Sequence, residues 1–153
     1  MTAARHGSGS SVARTLAEGV VPLPAAGVVV VRVLGAALLA GNGYLHWHLD
    51  DIGYATVPTI GPLFRLNAVL AVLLALAVLL TPRRWWRYAC AAGALLQIGT
   101  LGALGLSLTV GILGFQESLD APDLLTSVLV EATGFLVLLV GALARLEREH
   151  GRS

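Results

Sequence analysis

The chain has 153 residues, of which 56% are hydrophobic and 12% charged, and its formal net charge is +1. A soluble domain carries about 25% charged residues, so the usual supply is roughly halved, and a basic nucleic-acid-binding patch is absent. Arginine occurs without any lysine, which suggests a GC-rich bacterial genome. This composition excludes an ordinary soluble domain and indicates an integral membrane protein.

Four apolar runs follow a polar leader, and each approaches or exceeds the ~20 residues needed to cross a bilayer. Residues 1–24 form that leader, which is rich in glycine and serine near its start and is expected to be a disordered cytoplasmic tail. The runs cover residues 25–46, 62–80, 88–114 and 123–144. Arg32 interrupts the first run and no good small-x-small cleavage site follows it, so an uncleaved helix is favoured over a signal peptide. We predict a transmembrane domain over residues 25–146 and a short cytoplasmic tail over residues 147–153.

The segments between the runs alternate in charge. Two connectors are acidic, whereas eight of the ten arginines fall in the other three segments: Arg5, Arg14, Arg83, Arg84, Arg87, Arg145, Arg148 and Arg152. Cytoplasmic segments of membrane proteins are enriched in arginine and lysine. The pattern therefore predicts an all-α, antiparallel up-down bundle of four transmembrane helices in a bacterial inner membrane, with both termini in the cytoplasm.

Aromatic residues cluster at both predicted membrane boundaries, where amphipathic rings are favoured. The outer group is Tyr44, Trp47, Tyr54, Phe64 and Phe115, and the inner group is Trp85, Trp86 and Tyr88. Glycines recur along the third run at Gly93, Gly99, Gly102 and Gly105. Such a face allows another helix to approach closely, so we predict that it packs against a neighbouring helix.

Two ionisable residues, Arg32 and Glu131, fall inside the predicted spans. At 1.5 Å per residue, Arg32 lies roughly 10 Å from the inner boundary and Glu131 roughly 12–15 Å from the outer one. Gln97 falls at a similar depth, and Ser127 shares a helix face with Glu131. A charge at the centre of a span costs about 2.5–3.5 kcal/mol, so we expect Arg32, Gln97 and Glu131 to form a polar layer inside the bundle. This layer either fixes helix register or serves as a proton or ion relay or a ligand pocket.

A second group of candidate residues surrounds the first outer connector. Its members are His46, His48, Asp50, Asp51 and Arg65. Imidazole and carboxylate groups can bind Zn²⁺ or Cu²⁺, but this spacing is not diagnostic, and a solvated acidic loop is the competing interpretation. Arg65 either reaches the surface, pairs with a nearby carboxylate, or binds a quinone or lipid headgroup. We predict no metal site and no cofactor.

Several short segments resemble DoxX-like small bacterial four-helix membrane proteins. They are Arg32-Val33-Leu34-Gly35, Gly41-Asn42-Gly43, and the leucine-rich second run that ends in Leu80-Thr81-Pro82-Arg83. The resemblance covers about the first 90 residues and implies a link to membrane redox or quinone chemistry. The basic residue that such proteins often carry after the outer glycine is not matched here, so no functional residue is transferred.

No phosphate-binding loop, nucleophile elbow or zinc-protease motif occurs, and no two histidines face each other across spans as a bis-histidine haem site requires. The favoured function is an accessory or interaction subunit without its own catalysis. The alternative is a redox, quinone-associated, ion-handling or proton-handling protein that uses the polar layer. Expected partners are the lipid bilayer and a second copy or a larger membrane complex, but not nucleic acid. Contact between Arg32 and Glu131 favours the structural role, whereas a cavity near His46 and Arg65 favours binding or transport.

Overall fold

The computed structural model describes residues 19–146 and is dominated by four helices. These are α1 (Ala25–Ile52), α2 (Ile60–Leu80), α3 (Arg83–Thr109) and α4 (Leu124–Ala142). A 3₁₀ turn, Tyr54–Thr56, lies between α1 and α2, and two short strands, β1 (Val21–Leu23) and β2 (Ala144–Leu146), flank the helices. The predicted tail residues 1–18 and 147–153 lie outside the described range.

All four helices have the length and hydropathy of membrane spans, which confirms the four predicted helices and indicates a multi-pass membrane protein. Their outer surfaces are apolar, with many large exposed side chains such as Val33, Leu73 and Leu136. Soluble monomers rarely expose contiguous apolar patches larger than a few hundred Å². A bilayer is the solvent that such a surface requires.

The helix ends differ from the predicted ones for local reasons. α1 continues past residue 46 to Ile52, and α3 begins at Arg83 because the Pro82 carbonyl already accepts bonds from the next turn. α3 ends at Thr109 rather than at residue 114. Gly111 has a φ of 78° and its N–H bonds to the Leu106 carbonyl, which is how a glycine terminates a helix. Residues 110–123 therefore form a connector between α3 and α4.

The core is formed by large side chains that fit against glycines of neighbouring helices. Leu39, Val78 and Leu138 are fully buried. A methyl group at Gly35 would lie 2.7 Å from Cδ2 of Leu138, and one at Gly93 would lie 3.1 Å from Cδ1 of Leu39. Close approach at these glycines brings α1, α3 and α4 together.

The predicted glycine face of α3 is only partly used in packing. Gly93 contacts the core, but a methyl group added at Gly99, Gly102 or Gly105 would meet no packing neighbour within 4 Å among residues 19–146. Within this chain, the predicted close approach of another helix is therefore seen at Gly93 and not at the other three glycines. They lie on an open surface of α3.

The two ends of the bundle differ in chemistry. At the arginine end, β1 pairs in parallel with β2, with Val21 opposite Ala144. Residues 21–23, which we predict to be part of a disordered leader, therefore form a strand. The fold thus contains one small two-stranded sheet in addition to the predicted helices. Arg87 Nε donates a hydrogen bond of 3.0 Å to the Ala142 carbonyl near the end of α4. At the opposite, acidic end lie the connectors 53–59 and 110–123, together with Asp50 and Glu117.

The aromatic belts are present in part. Tyr44 and Trp47 are exposed toward the acidic end, and Trp85 and Tyr88 are exposed at the arginine end. Trp86, which we placed in the inner belt, is instead fully buried. Exposure of four amphipathic rings in two groups agrees with the two boundaries of a bilayer.

Candidate functional site

Three polar side chains of α1 lie one helical turn apart and are all buried: Asn42, His46 and Asp50. A spacing of four residues places them on one face of the helix, and we call them the α1 polar face. Asn42 bonds to α2 and α3, His46 faces α4, and Asp50 bonds to α2. The face therefore organises the polar interior of the bundle.

Asn42 is the deepest of the three and joins α1 to two other helices. Its Nδ2 donates to Oε1 of Gln97 in α3, and its Oδ1 accepts a hydrogen bond of 2.9 Å from Nδ2 of Asn67 in α2. A side-chain amide donates and accepts at once, so the three amides form a continuous chain. Gln97 is fully buried, and its Nε2 packs so closely against Gly134 of α4 that a methyl group there would overlap it.

His46 faces Glu131 across the interface between α1 and α4. His46 Nε2 lies 4.0 Å from Oε1 of Glu131, and their side chains are 11% and 3% exposed. His46 Nδ1 lies 3.0 Å from the Asn42 carbonyl oxygen. Because a carbonyl only accepts, Nδ1 carries a hydrogen and Nε2 is the nitrogen that faces the carboxyl group. At this separation the two side chains face each other without a direct hydrogen bond.

A cavity of about 150 Å³ lies beside this pair, at the acidic end of the bundle. Aliphatic and aromatic side chains make up most of its lining, and polar groups come from His46, Asn67, Thr100, Ser107, Ser127 and Glu131 among others. Within residues 19–146, Ser127 Oγ and Glu131 Oε2 have no hydrogen-bond partner. A mostly apolar cavity with a few buried polar groups is typical of a small-molecule site.

Aromatic rings form one wall of the cavity. The Tyr54 and Phe64 rings stack at 4.9 Å between centroids, and Phe115 meets Tyr54 edge-on at 5.9 Å. Phe64 also contacts the His46 ring edge-on at 5.0 Å. Tyr54, Phe64 and Phe115 were predicted as parts of an outer belt, but in the structure they line the cavity.

A hydrogen bond between the two acidic-end connectors lies over this wall. The Tyr54 hydroxyl donates to Oε2 of Glu117 at 2.6 Å. Burial raises the pKa of Tyr54, and the hydrogen bond to the charged Glu117 raises it further. The phenol therefore stays protonated and keeps connector 53–59 attached to connector 110–123.

The predicted outer cluster is divided among separate contacts. Arg65 Nε donates to Oδ2 of Asp50 at 2.8 Å, which is one of the pairings expected for Arg65. His48 Nε2 lies 3.9 Å from Oδ2 of Asp123, and Asp51 is exposed. Among residues 19–146, no three His, Cys, Asp or Glu side chains are grouped as metal ligands.

Arg32 lies apart from Gln97 and Glu131, so the expectation that the three form one polar layer is wrong for Arg32. Its guanidinium donates to the carbonyls of Val78, Leu79 and Thr81 at 2.7–2.9 Å. It also lies over the Trp86 ring, 5.2 Å from the centroid. The free carbonyls at the C-terminal end of α2 attract a cation, and the long side chain reaches them from α1. Arg32 thus stabilises the arginine end of the fold.

Gln97, Ser127 and Glu131 are buried in the bundle, but they belong to two groups rather than one layer. Gln97 joins the amide chain, whereas Ser127 and Glu131 line the cavity. Sequence reasoning missed Asn67, Thr100 and the Tyr54–Glu117 bond. Asn67 was visible as a polar residue in the apolar second run, but its partner was not.

Comparison with known proteins adds no relative: no family model matches the chain, and no curated protein or solved structure matches it. The resemblance to DoxX-like proteins therefore stays a prediction. The function must be argued from the residues of the site.

Proposed function

We propose that the protein is an antiparallel up-down bundle in a bacterial inner membrane, with the acidic end outside and both termini in the cytoplasm. The alternation of arginine-rich and acidic segments supports this orientation. Contacts support the helix directions: Gly43 late in α1 lies beside Ala68 early in α2, and Gly141 late in α4 lies beside Val31 early in α1. The parallel β1–β2 pair brings the two ends of the described chain together.

We also propose that the protein binds a small, largely apolar molecule with one polar group in the cavity at the acidic end. The observation that carries this proposal is the placement of Glu131 and Ser127. Both line an otherwise mainly apolar cavity, and both have a side-chain oxygen without a partner among the described residues. An unsatisfied buried polar group costs about 1–3 kcal/mol, and a ligand that supplies the missing hydrogen bond offsets this cost.

The position of Glu131 favours ligand binding over the alternative in which the buried polar residues only fix helix register. Glu131 does not contact Arg32. Together with His46 it lines a cavity at the acidic end of the bundle. Arg65 lies at the same end, outside the cavity lining. A group that only fixes helix register needs a fixed partner. At 4.0 Å, His46 is beyond hydrogen-bonding distance of Glu131, and Oε2 of Glu131 has no hydrogen-bond partner among the described residues.

Equilibrium dialysis with the protein in lipid nanodiscs tests this function, with empty nanodiscs as the blank. Benzyl alcohol is a suitable probe, because a cavity of about 150 Å³ accommodates benzene. We expect one saturable site per chain in the wild type. Ala103→Leu fills the cavity lining and should abolish the site, whereas Ala92→Leu, on the exposed surface of α3, should retain it. Equal binding by wild type and Ala103→Leu would contradict the proposal.

The accessory-subunit function remains a second candidate, and the open face of Gly99, Gly102 and Gly105 favours it. Small residues on a membrane helix permit close packing of another helix, and we propose a second copy of this chain as the partner. Single-molecule photobleaching in nanodiscs should then show two chains per particle for the wild type and one for Gly102→Leu. A monomeric wild-type protein would contradict the proposed self-association.

A further inference from the structure

We infer that the ligand of the cavity is an organic monocation with an apolar body about as large as a benzene ring, bound against the Glu131 carboxylate. This inference rests on the proposed binding function and specifies its ligand class. Charge and aromatic contacts support a cation, and the cavity volume of about 150 Å³ sets the size of its apolar body.

The cavity lining holds two acidic residues and one imidazole, His46, whose Nδ1 hydrogen is donated to the Asn42 carbonyl. Glu131 and Glu117 both line the cavity, and the described lining contains no arginine. Arg65, the arginine at this end of α2, donates to Asp50 and is not part of the lining. A buried charge requires an opposite charge beside it. The lining therefore favours a cationic ligand and disfavours an anionic one.

Glu131 is placed to form that ion pair. The residue is 2% exposed, so water competes little for its carboxylate. Its Oε2 has no hydrogen-bond partner within residues 19–146, and the Ser127 hydroxyl in the same lining has none either. An ammonium nitrogen carries several N–H donors, so it can donate hydrogen bonds to both Glu131 Oε2 and Ser127 Oγ. A neutral carbonyl compound such as a quinone has no donor and cannot.

A series of contacts through aromatic rings leads from the Glu117 carboxylate to the Glu131 carboxylate. Glu117 bonds to Tyr54, Tyr54 stacks on Phe64, Phe64 contacts His46, and His46 faces Glu131. A cation within about 6 Å of an aromatic face is attracted to the ring by roughly 0.5–2 kcal/mol. The same rings pack against an apolar body. The wall thus suits both halves of an aromatic or aliphatic amine.

Two isosteric probes separate the charge from the rest of the ligand. Benzylammonium and benzyl alcohol have the same number of heavy atoms and differ at neutral pH in one positive charge. In the dialysis experiment, we expect wild-type protein to bind benzylammonium at least tenfold more tightly than benzyl alcohol. Glu131→Gln should remove this preference while it retains benzyl alcohol binding. Asp120→Asn, an exposed acid outside the lining, should keep the preference.

The ratio in the wild-type protein decides the inference even if Glu131→Gln fails to fold. Saturable, Ala103→Leu-sensitive binding with benzyl alcohol equal to or tighter than benzylammonium would overturn the cation inference and leave the binding function standing. Absence of saturable binding of both probes would overturn the two together. A preference for benzylammonium that persists in folded Glu131→Gln would overturn the assignment to Glu131.

Discussion

Replacement of Asn42 by alanine should destabilise the bundle strongly, because Asn42 holds three helices through two hydrogen bonds. The change removes its bond to Gln97 and the 2.9 Å bond from Asn67. Interhelical hydrogen bonds in membranes contribute about 0.6 kcal/mol on average and up to about 1.7 kcal/mol, so two of them contribute about 1.2–3.4 kcal/mol. Asn42 and Gln97 are both fully buried, so water cannot replace the lost bonds. We expect a loss in the upper half of that range, roughly 2.3–3.4 kcal/mol.

Reversible unfolding in mixed micelles, followed by far-UV circular dichroism, measures this loss. A double-mutant cycle of Asn42→Ala with Gln97→Ala isolates their pair, with an expected coupling free energy of about 0.6–1.7 kcal/mol. Gln116→Ala removes an exposed amide and should change the unfolding free energy by less than about 0.5 kcal/mol. A loss below that value for Asn42→Ala, or strict additivity in the cycle, would refute the reasoning.

Two further predictions concern the acidic end. Because burial and Glu117 raise the pKa of Tyr54, its phenol favours folding below the ordinary tyrosine pKa of about 10, and this contribution disappears as the pH rises toward the folded-state pKa. A tyrosinate absorbance titration should show Glu117→Gln lowering the Tyr54 pKa, and an unchanged midpoint would argue against the bond. Gly61→Ala places a methyl group 2.9 Å from the Tyr54 carbonyl oxygen and should lower the free energy of unfolding by about 1–3 kcal/mol, measured by denaturation. Its control, Gly102→Ala, meets nothing within 4 Å and should change that free energy by between zero and about 1 kcal/mol in the stabilising direction. Equal effects of the two glycine substitutions would contradict the packing at Gly61.

The four helices could be predicted from the sequence because the bilayer imposes a length and an apolar composition on each span. Pro82 and Gly111 show why hydropathy did not predict the first and last residues of α3. Pro82 starts α3 earlier than the apolar run does, and Gly111 stops it while the sequence is still apolar. Local backbone chemistry, rather than hydropathy, sets these boundaries.

The site could be predicted only where its residues share a helix. The common face of His46 and Asp50 follows from their spacing, and both are buried as a pair one turn apart. The depth of Arg32 was counted at its backbone, whereas its long side chain carries the charge to the end of α2. Contacts such as Asn42 with Asn67 depend on how each helix is rotated, which one sequence does not specify.

The most direct test of the account is the distance between a bound ligand and Glu131. Solid-state NMR can measure it with ¹⁵N-labelled benzylammonium and protein that carries ¹³C in its glutamate carboxyl groups, with Glu131→Gln identifying the signal. A charge-assisted hydrogen bond joins nitrogen and oxygen at about 2.7–2.9 Å, so we predict the ammonium nitrogen within about 4 Å of the Glu131 carboxyl carbon. Saturably bound benzylammonium with no ¹⁵N–¹³C contact to Glu131 would contradict the account.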